Sequence, residues 1–177
     1  MNKEFFEIIR PGIHTTIQDQ GRFNKYHFGI PFSGCMDQRN YFISNKLLGN
    51  KLNEPSLEFA YQGPLIKLNY GRLTGVITGD VIFNIIRKNS KINSGECYQT
   101  FEINDGDQID IISTNRSVYG YFSIKNGFKG DYIWGSCSIN TKAKIGSNNG
   151  NKFSKDQKIY INKLESLPNQ KKVNYFN

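Results

Sequence analysis

The chain has 177 residues, enough for one domain or two small ones sharing an interface, and a chain of this size buries roughly 70% of its unfolded surface. Aromatic residues make up 14% and glycine fills 17 positions, which suits a turn-rich β protein and argues against a helical bundle. Twenty-three Lys and Arg against 15 Asp and Glu give a net charge of +8, but the late lysines lack interleaved aromatics and Arg, so they read as a solvated basic surface, not a nucleic-acid groove.

The start, MNKEFFEIIR, carries acidic residues without a signal-peptide apolar stretch, and no run reaches the roughly 20 apolar residues of a membrane span, so a cytoplasmic protein is expected. Residues 36–50 read as a helix. Met36, Ile43 and Leu47 share one face, Ser33-Gly34 precede it, Asp37 suits the first turn, and Gly49 stands where a left-handed C-terminal cap is wanted. After Pro55 come short β-like runs at 57–61, 65–68, 75–78, 81–86, 98–103, 108–113 and 119–124. Asn69-Tyr70-Gly71 and Asn104-Asp105-Gly106-Asp107 look like hairpin turns, which predicts antiparallel pairing of consecutive strands in a sandwich or barrel.

From Asn140 the chain becomes rich in Gly, Asn, Ser and Lys, with one more strand at 158–161. Residues 1–139 are therefore expected to form the main domain and 140–177 an extension whose last dozen residues are loosely held. Cys35, Cys97 and Cys137 are odd in number and contain no CxxC pair, as expected of reduced thiols. His14, His27 and Cys35 share no metal-ligand spacing, and Cys35 reads as a small packed hydrophobe.

The most informative segment runs Pro11-Gly12-Ile13-His14-Thr15-Thr16-Ile17-Gln18-Asp19-Gln20-Gly21-Arg22. It is followed by Gly29-Ile30-Pro31-Phe32-Ser33-Gly34-Cys35-Met36-Asp37, Gly49-Asn50, Leu57-Glu58 and Gly63-Pro64. It gathers an imidazole, hydroxyls, carboxylates and a guanidinium among glycines that let backbone amides approach a ligand. His14, Asp19, Arg22 and Asp37 form the candidate catalytic set; Thr15, Gln18, Gly21, Ser33, Gly34 and Glu58 form the candidate substrate-binding set. Arg22 could grip a carboxylate or phosphate in bidentate fashion, His14 could act as a base or donor near neutral pH, and the helix start could offer N–H groups to an oxyanion. Structural readings stand beside these: His14 satisfying a buried carbonyl, Asp37 as a helix-start residue, Ser33 as its cap, and residues 19–22 as a turn.

Motif order and spacing over residues 10–64 resemble the biotin-dependent carboxyltransferase family, the allophanate hydrolase second-subunit type, which includes the C subunit of 5-oxoprolinase. The resemblance implies a mainly β, cyclophilin-like barrel with one principal short helix, occurring twice in full-length members. It implies work on a small amide, with ATP or carboxybiotin as the activating group, beside partners resembling the B-type and A-type subunits of 5-oxoprolinase. The chain departs from the family where Gly135-Ser136-Cys137-Ser138-Ile139 replaces GSRST and where Asn126-Gly127 replaces Gly-Gly. It has no GxxxxGK[ST] loop and no Met-Lys biotinylation context, and it is expected to correspond to the first half of the full-length proteins. The expected function is that of one component of a multi-chain enzyme, active only with its partners, for which Arg22→Lys abolishes activity and leaves the fold unchanged. The alternatives are a non-catalytic binding module and the relic of a broken gene.

Overall fold

Alternating residues decide which side of each strand is buried, and here the alternation builds two sheets around one core. The structure, a computed structural model, describes residues 3–162. The first sheet holds β1 (Phe5–Arg10), β4 (Leu65–Asn69), β6 (Val81–Ile86), β7 (Ile92–Ser94), β9 (Gln108–Thr114) and β11 (Lys158–Tyr160), in the order β11-β1-β4-β9-β6-β7. The second holds β2 (His14–Gln18), β3 (Ser56–Ala60), β5 (Arg72–Thr78), β8 (Thr100–Asn104) and β10 (Tyr119–Ile124), in the order β2-β3-β10-β5-β8. Every pairing between these strands is antiparallel.

Phe6, Ile8, Ile66, Leu68, Phe83 and Ile109 from the first sheet meet Ile17, Leu57, Phe59, Ile77 and Phe122 from the second. Phe6 and Phe122 touch edge to face with centroids 5.6 Å apart. Each such side chain contributes about 1.5–3 kcal/mol when fully buried.

The second sheet is covered on its other face too, by α1 (Gln38–Leu47), which packs on β10 and β5. This explains why β3 is buried at all five positions: Leu57 and Phe59 join the core, while the alternate residues, Glu58 among them, face the other way. The helix starts and ends near where the sequence predicts, but it turns a different face inward. Tyr41, Ser44 and Asn45 are buried, whereas Met36 and Leu47 are exposed. Polar atoms satisfied at the contact explain the choice: Ser44 Oγ lies 2.6 Å from Ser123 Oγ, and Asn45 donates to the Glu54 carbonyl. Gly49, at φ 60°, is the expected left-handed cap.

The expected hairpins are not hairpins. Neither β4 and β5 nor β8 and β9 pair; both turns carry the chain from one sheet to the other. They lie side by side, with Leu68 N–H donating to Asp107 O, Gly106 N–H to Leu68 O, and Tyr70 N–H to Asp105 Oδ1. Three strands, β1, β2 and β7, fall outside the expected set.

Residues 140–162 are knit into the body. Ile139 N–H donates to Ile17 O and Phe153 N–H to Thr15 O, covering the outer edge of β2, while Phe153 and Ile159 enter the core. The predicted looseness of the last dozen residues concerns positions outside those described. No helix among the described residues is long and apolar enough to cross a membrane.

Candidate functional site

Two glycine-bearing segments cross next to the end of β2. Arg22 N–H donates to Phe32 O at 2.7 Å, and Cys35 N–H donates to Asp19 O at 3.0 Å. The approach is close because Gly21 and Gly34 both adopt positive φ, at 96° and 86°. A Cβ on Gly34 would lie 2.8 Å from Gln20 O. Gly34→Ala is therefore expected to destabilise the protein by about 2–3 kcal/mol, read as a lower urea midpoint; an unchanged midpoint would show that the crossing can open at no cost.

The crossing fixes Asp19 and Arg22 for a shared task. Asp19 is 4% exposed and its carboxylate accepts four hydrogen bonds, from Gly21 N–H (2.8 Å), Ser136 Oγ (2.5 Å), Ser138 Oγ (2.6 Å) and Cys137 N–H (2.8 Å). Arg22, 1% exposed, donates to the carbonyls of Ile133 (3.2 Å), Ser136 (3.2 Å) and Ser138 (2.8 Å). The grip that the sequence suggested for a substrate anion is thus closed on backbone carbonyls. One nitrogen, Nη1, is buried without a partner among the described residues, as is Gln18 Oε1. The Gln18 amide nitrogen donates to Thr16 Oγ1 and Ile139 O.

A second polar group lies where β3 and β10 meet the start of α1. Glu58 Oε2 accepts from Tyr121 OH (2.6 Å) and Met36 N–H (2.7 Å), while Tyr121 OH accepts from Asp37 N–H (2.7 Å). Burial pushes the Glu58 carboxyl above its usual range, and these two donors partly offset the rise. Asp37 is the helix cap, accepting from Asn40 N–H at 3.1 Å. The cap role considered for Ser33 is therefore corrected: Ser33, at φ 58°, accepts from the Asn140 amide. The N–H groups of Cys35, Met36 and Asp37 are all taken, so an internal carboxylate, Glu58, occupies the place that the sequence reserved for an anion.

The structure thus unites Asp19, Gly21, Arg22, Ser33, Gly34, Asp37 and Glu58, and holds His14 and Thr15 apart. Thr15 pairs with core residue Phe59, and its hydroxyl donates to Pro11 O. His14 opens β2 four residues from Gln18, about 13 Å along an extended strand. Its ring is half-buried and makes no hydrogen bond among the described residues. Burial, then the Lys152 ammonium, lowers its pKa, so the neutral imidazole prevails down to below pH 6.5.

Sequence reasoning missed Ser136, Ser138 and Tyr121 as partners. The only signal for the serines was their place in the stretch that departs from GSRST, where Cys137 is now seen fully buried in the core. The three cysteines are free thiols; burial, with Glu58 and other nearby acids, pushes Cys35 up to about 12. Among the described residues no three His, Cys, Asp or Glu side chains gather as a metal site. Around the Arg22 anchor, Phe23, Tyr26, Phe28 and Trp134 stand more than half exposed.

A two-sheet β domain whose N-terminal motif is bolted to a distant Ser-Cys-Ser turn defines the class of protein. The chain belongs to the family of the carboxyltransferase domain, subdomain A and B, which matches residues 28–175. It is 27% identical over 168 residues to urea amidolyase of Lachancea kluyveri, covering 92% of this chain and 9% of that protein. It is 28% identical over 144 residues to the 5-oxoprolinase C subunit of Haemophilus influenzae, covering 81% of this chain and 45% of that one. The structure of Kluyveromyces lactis urea amidolyase superposes with a TM-score of 0.85 at 26% identity, covering 95% of this chain and 10% of that one. The chain therefore spans about half the length of one of these curated relatives and about a tenth of the other.

Proposed function

We propose that this chain is a cytoplasmic component of a 5-oxoprolinase-like or carboxyltransferase assembly acting on a small amide. In this reading it works only with partner subunits, resembling the B-type and A-type chains of 5-oxoprolinase, and its two sheets close as a cyclophilin-like barrel. One observation carries the reading beyond the family relationship: Asp19, Arg22, Asp37 and Glu58 are spent on internal bonds, while exposed aromatic side chains surround their anchor. Such a chain supplies a rigid frame and an adhesive surface, and the remaining reacting groups come from elsewhere.

His14 is the group with chemistry left to offer. Its neutral imidazole accepts a proton as water adds to the amide carbon, and returns one to the nitrogen as the C–N bond breaks. ATP or carboxybiotin find no open cradle at Gly12, Gly21 or Gly34, three glycines of the motif. A Cβ on any of these three would lie 2.5–2.8 Å from backbone oxygen, so the space beside them is filled by the chain itself. These residues do not fit either group.

The test is reconstitution with B-type and A-type partners and an assay for ATP-dependent 5-oxoproline cleavage. Turnover is expected in the assembly and absent from the chain alone, with His14→Asn abolishing it while the complex still forms. Since His14 must be neutral, activity should fall on the acid side, and Lys152→Gln should move that limb to higher pH by removing a repelling charge. An acid limb that stays in place would remove His14 from the reaction. A complex that forms but never turns over would favour the second reading, a binding or regulatory module, which the same internal spending of charged groups supports.

A further inference from the structure

On the first sheet, away from the motif, a cleft of about 350 Å³ opens over β4, β6 and β9. Its floor is set by strand register: Lys67 on β4 pairs with Gln108 on β9, which pairs with Ile86 on β6. Its wall is the tight turn after β6, closed by Arg87 N–H to Lys91 O and Ser90 N–H to Arg87 O. Three cations line it, Lys67, Arg87 and Lys88, against a single carboxylate, Asp105.

The donors in this cleft are held in place without being used up. Arg87 is pinned by Nη1 alone, to Asp107 Oδ2 at 2.6 Å and Glu102 O at 2.8 Å, leaving Nε and Nη2 without partners among the described residues. Asp107 beneath it is 3% exposed, so the anchor is rigid. Asp105 is already answered by Tyr70 N–H and Lys88 Nζ, and Glu7, which stands opposite Lys67 in the β1–β4 register, accepts from Asn69. The Lys67 ammonium, the Gln108 amide and the Ser90 hydroxyl donate to nothing among the described residues. A pinned guanidinium with free nitrogens, beside an unpaired ammonium and neutral donors, is the arrangement that recognises a small multiply charged oxyanion.

We propose that this cleft is a binding site for a small phosphate-bearing anion, separate from the motif on the opposite sheet. Calorimetric titration of the full chain with sodium pyrophosphate at moderate salt is expected to show saturable 1:1 binding, tighter than that of inorganic phosphate. Lys67→Gln should weaken it by about tenfold, and Lys46→Gln on α1 should leave it unchanged. No saturable binding would overturn the proposal. Equal weakening by both substitutions would reduce it to the chain's general positive charge, and citrate binding as tightly as pyrophosphate would overturn the phosphate class. Because the site shares no residue with the motif, its failure would leave the proposed enzymatic role standing.

Discussion

Asp19→Ala is expected to destabilise the protein by about 4 kcal/mol, lowering the urea midpoint by about 2 M for a chain of this size. Removing the carboxylate strands four donors at once, two backbone N–H groups and two serine hydroxyls, in a region from which water is excluded. Asp19→Asn should fall in between, because its single carbonyl oxygen can still accept at Oδ1, where three of the four bonds converge. A loss below about 1 kcal/mol for Asp19→Ala would show that the Ser136 to Ser138 turn is held by something else.

Arg22→Lys is the second large effect, and the structure reverses its expected character. Read from sequence, the substitution should abolish activity with the fold intact. In the structure the guanidinium holds three carbonyls spread over six residues, and one ammonium on a flexible stem cannot reproduce that span. The variant should lose about 2–3 kcal/mol, and amide exchange should quicken at Ser136, whose N–H closes the turn onto Ile133 O. Lost activity in Arg22→Lys would therefore not assign Arg22 to chemistry. Unchanged exchange at Ser136 would restore that possibility.

Much of the fold can be read locally. Val81–Ile86 and Tyr119–Ile124 are strands at the expected bounds, because their alternation is strong and turn residues flank them. His14–Gln18 hid its strand because only one of its five residues is an aliphatic hydrophobe; its other buried positions are polar, Thr15 and Thr16 bonded to near neighbours and Gln18 also to Ile139 O, 121 positions away. The turns at 69–71 and 104–107 were recognised as turns but given the wrong destination. A positive-φ glycine reverses the chain equally well within a sheet or between sheets, and only tertiary packing decides. Of the candidate residues, Asp19, Gly21, Arg22, Ser33, Gly34, Asp37 and Glu58 lie together in the structure, but their geometry was illegible. Asp19 and its serine partners are separated by 117 and 119 positions, so no local pattern reveals that its carboxylate is already occupied.

The handover of the chain between sheets at those two turns has a consequence for how the molecule comes into being. Neither sheet is encoded by a contiguous stretch: the first uses strands from residue 5 to residue 160, and the second interleaves with it from 14 to 124. β1, made before every other strand described, waits for β11, the last of them, to complete its pairing. Neither sheet can be assembled from a single uninterrupted length of chain, so folding is expected to be slow and all-or-none, with the waiting strand edges a burden for chaperones.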